Sequence, residues 1–194
     1  AAHAGSRSVV LELDPAVVRL AEEELGLVLG DDLSVVTGDA RLAIRRTEGP
    51  VDLVVGDAFG GLAVPWHLAT QEFTEEVARR LAPEGVYVLN VIDHGRLAFL
   101  RAELATLAAV FPHVAVLGHP GTFDGAEDTS ERGGNFVLLA SGAPLPLDAV
   151  LAANRARGAD DDLLEGTALD VFVGDAAVLV DDRAPVDQLL TARP

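Results

Sequence analysis

Residues 8–25 read SVVLELDPAVVRLAEEEL, and this stretch decides the fold class. The run 8–13 is rich in β-branched residues and is typical of a short strand. Asp14 is a favoured residue for accepting the first amides of a helix, and Pro15 suits the first helical position. Apolar residues then recur at helical spacing as far as Leu25. The stretch therefore predicts a strand, a cap and a helix in succession.

The same alternation continues along the chain. Residues 51–56 (VDLVVG) are nearly all apolar, which predicts a strand buried on both faces, as in a parallel sheet. Further strands are predicted at 33–37, 85–92, 114–117 and 136–140, and helices at 40–46, 70–81, 96–110 and just after Pro146. The strands at 114–117 and 136–140 are expected to form an antiparallel edge pair. Strands that alternate with helices predict a doubly wound, mostly parallel α/β sheet, here in one domain spanning residues 1–194.

Composition narrows the class of protein and its partners. The 194 residues carry 14 Lys plus Arg and 31 Asp plus Glu, a formal net charge of −17. With 49% hydrophobic residues the chain is too apolar for a disordered acidic tail. The negative field repels phosphate backbones and anionic lipids, so we expect no nucleic-acid partner, no membrane contact and a cationic substrate.

Cysteine is absent, which excludes disulfides, thiolate nucleophiles and cysteine-based metal sites and makes the cytoplasm the expected compartment. The five histidines show no spacing of a helical metal pair, so no metal is expected. The apolar runs are far shorter than the roughly 18 residues that a membrane span needs.

Three carboxylates stand at the ends of the first three predicted strands: Glu12 at the end of the first, Asp39 just past the second and Asp57 at the end of the third. Ligands bind at the carboxyl ends of strands in open α/β sheets, and an acid there can accept both hydroxyls of a ribose. Glu12 suits that role, although it can also simply decorate a turn. Asp39 either accepts from an adenine amino group or is a plain helix cap. Asp57 stands between an apolar strand and a glycine-containing loop, where a structural acid has little to cap.

Four segments together carry a family resemblance: VVLELDPAVVRLA (9–21), VVTGDAR (35–41), VDLVVGDAFGG (51–61) and LATQEFTEEVARRLAPEGVYVLNV (68–91). They resemble the catalytic domain of the spermidine synthase (polyamine aminopropyltransferase) family, which has the Rossmann-like fold of AdoMet-dependent methyltransferases. The ending LVDDRAPVDQLL (179–190) also looks like the C-terminal signature of spermidine-synthase-like proteins.

The resemblance implies a transferase that moves an aminopropyl group from decarboxylated AdoMet to a small cationic amine and releases methylthioadenosine. Glu12 would hold the ribose, and Asp39 with Ala40 the adenine. Asp57 would be the base that receives the proton of the attacking amine. The resemblance also implies a homodimer.

Three further residues are candidate substrate ligands. His67 lies in the loop after Asp57 and either lines the substrate pocket or packs against the core. Asp93 follows the fourth strand and faces the expected ligand side. Asp182 belongs to the C-terminal signature, where the resemblance implies gating or polyamine binding.

The sequence departs from the family pattern in two places. Family members carry a second acid three residues after the catalytic one, whereas Asp57 is followed by Ala58, Phe59 and Gly60. The family's first strand and glycine-rich loop should precede Ser8, so we expect an N-terminally incomplete domain, unless residues 168–173 supply the strand. Two alternatives remain open: an AdoMet-dependent methyltransferase, or a catalytically silent nucleoside-binding or scaffold domain.

Overall fold

A computed structural model describes residues 5–58, 64–123 and 133–190 of the chain. Contacts between Cα atoms divide the chain into two compact units, Ala1–Gly49 and Pro50–Pro194. Each unit has its own sheet, and each is described by itself below. The single domain expected from the sequence stays a prediction.

The first unit is built on two parallel strands. Its elements are β1 (Ser8–Glu12), α1 (Pro15–Glu24), β2 (Leu33–Thr37), α2 (Ala40–Ala43) and a 3-10 turn (Ile44–Arg46). Ser8 stands opposite Leu33, and the register continues to Glu12 opposite Thr37. The Asp14 side chain accepts from the Ala16 amide at 2.7 Å, so α1 begins where the sequence predicts. The strand, cap and helix succession is therefore confirmed.

The second unit contains a five-stranded mixed sheet in the order β3-β4-β6-β5-β7. Its elements are β3 (Val51–Gly56), a 3-10 turn (Trp66–Leu68), α3 (Gln71–Arg80), β4 (Leu81–His94), α4 (Ala98–Ala108), β5 (His113–Gly118), β6 (Gly133–Ser141), α5 (Leu147–Ala156), β7 (Asp162–Glu165), α6 (Gly166–Val173) and α7 (Val186–Leu189). β3 and β4 are parallel, whereas β4, β6, β5 and β7 pair antiparallel. The predicted antiparallel pair is confirmed as β5 and β6, and the α/β fold class is confirmed with it.

The core of the second unit lies between α4 and the sheet. α4 is buried on almost every side, with Phe99, Leu100 and Leu104 among its fully buried residues. Alternate side chains of β4 are buried from Tyr87 to Asp93, as expected for one covered face of a strand. β4 is thus paired on both sides, with β3 and with β6, and packs against a buried helix.

Two predictions about strands are wrong. β3 is not buried on both faces, because Leu53 and Val55, which lie on one face of the strand, are 55% and 63% exposed. An apolar run therefore indicates a strand without indicating which of its faces is covered. Residues 168–173 belong to α6, where Leu169 and Phe172 are buried at helical spacing, so they supply no strand.

Glu103 on α4 is a buried acid that was not predicted from the sequence. Its side chain is 1% exposed, and its Oε2 has no hydrogen-bond partner among the described residues. Burial raises the pKa of the Glu103 carboxyl well above its usual value. The pKa of the neighbouring Tyr87 hydroxyl is raised as well, by its own burial and then by the charge of Glu103.

Glu103→Gln is expected to raise the free energy of unfolding more at pH 8 than at pH 5. The pKa of Glu103 in the folded protein lies above its value of about 4.3 in the unfolded chain. The stabilising effect of the protonated carboxyl is therefore complete at pH values below the unfolded pKa, and it is lost as the pH rises through the folded pKa. Glutamine does not titrate, so the free energy of unfolding of the variant does not fall in this way as the pH rises. Urea unfolding of both proteins at the two pH values measures the difference. The exposed Glu84→Gln is the control, and parallel pH curves for Glu103→Gln and the unsubstituted protein would contradict the assignment.

Candidate active site

Asp57 is exposed at the carboxyl end of β3, directly after Gly56. Gly56 packs closely on β4: a Cβ at this position would lie 2.5 Å from Leu89 Cδ1 and 3.0 Å from the Tyr87 hydroxyl. The glycine therefore lets the end of β3 lie close against β4. Asp57 Oδ1 accepts a hydrogen bond from Asn90 Nδ2 at 2.9 Å.

Asn90 is the functional candidate that the sequence analysis missed. It lies on β4 beside the end of β3, where Gly56 is paired with Leu89. The signal was present in the sequence, because Asn90 is the one polar side chain in the run VYVLNVI (86–92) when the tyrosine hydroxyl is set aside. What the sequence lacked was the register that brings residue 90 beside residue 57.

The first unit places its two predicted nucleoside ligands at one edge of its sheet. Glu12 ends β1, and its Oε1 accepts from the Asp14 amide at 2.8 Å. Asp39 caps α2 by accepting from the Arg41 amide at 2.8 Å. The Gly38 amide donates to the Glu12 carbonyl at 2.8 Å, which joins the ends of the two strands. Asp39 is thus a helix cap, as the simpler alternative had it, and its contact with adenine stays a prediction, as do the roles of Glu12 and Ala40.

His67 and Asp182 lie in two different segments of the second unit. His67 is half-buried in the 3-10 turn, and its ring meets the Trp66 ring edge-on, with 5.7 Å between centroids. Asp182 is exposed in a turn closed by paired backbone hydrogen bonds between Val180 and Arg183. The substrate roles of both residues stay predictions.

The neighbouring Asp181, rather than Asp182, ties this turn to the rest of the unit. Thr70 Oγ1 donates to Asp181 Oδ1 at 2.8 Å, and the Asp181 amide donates to Glu72 Oε2 at 3.0 Å. Both partners lie at the start of α3. The C-terminal signature therefore holds the N-terminal end of a helix.

An open depression of about 530 Å³ lies beside this turn. One wall is formed by residues 64–66 and the other by residues 183–188. Trp66 contributes an exposed aromatic ring and Asp187 an exposed carboxylate. An aromatic face beside an acid suits a cationic group.

Asp93 is 1% exposed, unlike Asp57. Its Oδ1 accepts from the His94 amide at 2.7 Å, and its Oδ2 accepts from the Leu100 amide at 2.9 Å in the first turn of α4. Burial raises the pKa of Asp93, and the backbone hydrogen bonds oppose that rise. Asp93 therefore anchors the start of α4, and its predicted contact with substrate stays a prediction.

The described residues show neither a metal-binding cluster nor a membrane-spanning helix. Within residues 5–58, 64–123 and 133–190, no three His, Asp or Glu side chains are grouped to hold a metal ion. No helix in that part of the chain is long and apolar enough to cross a membrane.

Comparison with known proteins identifies the relatives of this chain. No protein-family model matches the sequence. A polyamine aminopropyltransferase of Vibrio vulnificus is 34% identical over 140 residues, which cover 71% of this chain and 43% of that protein. The crystal structure of a probable spermidine synthase from Corynebacterium glutamicum superposes with a TM-score of 0.77 at 29% identity, covering 91% of this chain and 64% of that one.

A third similarity concerns the fold alone. Human methyltransferase-like protein 13, crystallised in complex with SAH, superposes with a TM-score of 0.59 at 22% identity, covering 95% of this chain and 78% of that one. The chain thus spans less than half the length of the Vibrio enzyme and just under two thirds of the Corynebacterium chain. The Rossmann-like, methyltransferase-type fold and the family resemblance are both confirmed: the chain is spermidine-synthase-like and is similar to polyamine aminopropyltransferases.

Proposed function

We propose that this protein transfers an aminopropyl group from decarboxylated AdoMet to an amine and releases methylthioadenosine. The observation that carries the proposal is an exposed carboxylate, Asp57, at the carboxyl end of a parallel strand in a chain that is 34% identical to an aminopropyltransferase. Strand ends of this kind are where open α/β sheets bind their ligands.

The chemistry needs a base more than any other group. The lone pair of a neutral amine attacks the methylene carbon bound to the sulfonium, a new C–N bond forms, and the C–S bond breaks with its electron pair left on sulfur. The nitrogen then carries one proton too many. Asp57 accepts that proton and stabilises the positive charge that develops on nitrogen.

The nucleoside is assigned to the acids of the first unit. Glu12 accepts the two ribose hydroxyls, while Asp39 and Ala40 contact the adenine. The support for this assignment is local: Glu12 ends β1, Asp39 lies just past the parallel strand β2, and the hydrogen bond from Gly38 to Glu12 joins the two strand ends. Because Asp39 Oδ1 caps α2, the adenine amino group would share that carboxylate with the helix.

The amine acceptor is assigned to the second unit. The net charge of −17 favours it, because a negative field attracts cations. Family members bind the far amine with a second acid three residues after the base, and this chain has Gly60 there. The depression beside Trp66 offers Asp187 as a carboxylate and an aromatic face, with His67 and Asp182 on the neighbouring segments. We assign this surface to the far end of the acceptor.

Methyl transfer from intact AdoMet is the second candidate. The absence of a second acid after Asp57 favours it, because a methyltransferase needs no anchor for a diamine. The similarity to a methyltransferase fold is compatible with either reaction. The two reactions differ in the co-substrate, and that difference is measurable.

Calorimetric titration of the full-length protein with decarboxylated AdoMet, AdoMet and methylthioadenosine separates the candidates. We expect the decarboxylated form to bind at least about tenfold more tightly than AdoMet, and Glu12→Gln to weaken both by roughly 10–100-fold, the equivalent of a charge-assisted hydrogen bond. Glu23→Gln, an exposed substitution on α1, is the matched control. Preference for AdoMet would move the protein to the methyltransferases, and binding of none of the three would leave a silent domain.

A further inference from the structure

The contact between Asp57 and Asn90 has a defined polarity. An ionised carboxylate only accepts hydrogen bonds, so the atom of Asn90 that lies 2.9 Å from Asp57 Oδ1 is the amide nitrogen. The pair therefore keeps two acceptors, the second carboxylate oxygen of Asp57 and the amide oxygen of Asn90. These two oxygens belong to adjacent, hydrogen-bonded side chains at the end of β3.

Asn90 is the better-fixed member of the pair. Its neighbours on β4, Leu89 and Val91, are both buried, and Asn90 is paired with Val137 across the ladder to β6. Asp57, in contrast, is exposed just beyond the end of a strand. The hydrogen bond thus restrains the exposed carboxylate against a strand in the interior of the sheet.

We propose that Asn90 determines acceptor specificity by selecting primary amines. This inference rests on the proposed aminopropyl transfer. A neutral primary amine has two N–H groups and one lone pair. Asp57 Oδ2 accepts one N–H and Asn90 Oδ1 accepts the other, which leaves the lone pair to point at the electrophilic carbon. After attack, one of these protons passes to Asp57 and the other stays on the new secondary amine.

The same arrangement discriminates against N-methylated amines. A secondary amine has a single N–H, so one of the two acceptors is left unpaired and a methyl group stands against it. Because the methyl group also keeps water from that acceptor, the unpaired polar atom weakens binding and turnover by about 10–100-fold. Replacement of Asn90 by an apolar residue removes the second acceptor, and the discrimination disappears with it.

The test compares kcat/KM for 1,3-diaminopropane, 1,4-diaminobutane and 1,5-diaminopentane with their N,N′-dimethyl counterparts, using the full-length protein and decarboxylated AdoMet. We expect the unsubstituted protein to prefer the primary member of its best pair at least about tenfold. In Asn90→Leu the preference is expected to fall below about threefold, chiefly through the primary amine. Asn135→Leu, an exposed asparagine on β6, is the matched control and should keep the preference.

A merely structural role for Asn90 would lower turnover of both amines equally and leave their ratio unchanged, which would overturn the inference while the proposed function stands. Asn90→Ala is measured in the same way if Asn90→Leu does not fold. Failure of the unsubstituted protein to use any of the three primary diamines would overturn the inference together with the proposed diamine acceptor. Far-UV circular dichroism and urea unfolding of each variant confirm that its fold is intact.

Discussion

Asp57→Asn is expected to lower kcat by about 10²–10⁴-fold, the usual contribution of a general base. Asparagine has nearly the volume of aspartate and can still accept from Asn90, so the end of β3 should keep its geometry. Its amide oxygen is too weak a base to take the proton of the attacking amine. Single-turnover rates with decarboxylated AdoMet and a saturating diamine measure the chemical step directly.

Asp52→Asn provides a matched control, because Asp52 is an exposed aspartate on the same strand. It should leave the rate within about twofold. Nucleoside affinity in Asp57→Asn should stay within a few fold of the unsubstituted protein, since the nucleoside is assigned to Glu12 and Asp39. Equal single-turnover rates for Asp57→Asn and the unsubstituted protein would refute the role of Asp57 as the base.

Local features of the fold could be predicted from sequence. Asp14 and Asp39 cap helices because a capping side chain and the amide it accepts from are only two residues apart. The bounds of β2 and β3 were predicted to the residue, because each run ends at a glycine or a polar residue. These features depend on neighbours in the chain and on little else.

Pairing between distant segments could not be predicted in the same way. Leu53 and Val55 are exposed although the run that contains them is apolar, because the run does not state which distant segments cover each face of the strand. β7 was missed because four residues, DLLE, carry too little periodicity to indicate a strand. The helix over residues 168–173 was proposed as a possible strand because short apolar runs fit both periods.

The candidate site shows the same division. Position at the end of a strand was enough to single out Asp57, but its partner Asn90 is 33 residues away and needed the β3 to β4 register. Asp181 and Asp182 are adjacent and chemically identical, and their difference in use comes from Thr70, 111 residues from Asp181. Residue type indicates which interactions a side chain can make, and tertiary contacts decide which of several identical residues makes them.

Asp93→Ala is expected to lower the free energy of unfolding by about 2–6 kcal/mol. Two backbone amides, those of His94 and Leu100, donate to this carboxylate, and a buried amide left without an acceptor costs about 1–3 kcal/mol. Leu100 lies in the first turn of α4, so the loss falls on a helix that is buried along most of its length. Urea unfolding monitored by far-UV circular dichroism measures the change.

Asp93→Asn separates this structural role from contact with substrate. The carboxamide keeps one oxygen as an acceptor, but its NH₂ group would face the second backbone amide. The free energy of unfolding is therefore expected to fall by about 1–3 kcal/mol, less than in Asp93→Ala. Asp160→Ala, at an exposed aspartate, should change stability by less than about 0.5 kcal/mol. If Asp93→Ala instead keeps its stability and raises KM for the amine, Asp93 is the substrate ligand that the sequence predicted, and the helix start must be held by other contacts.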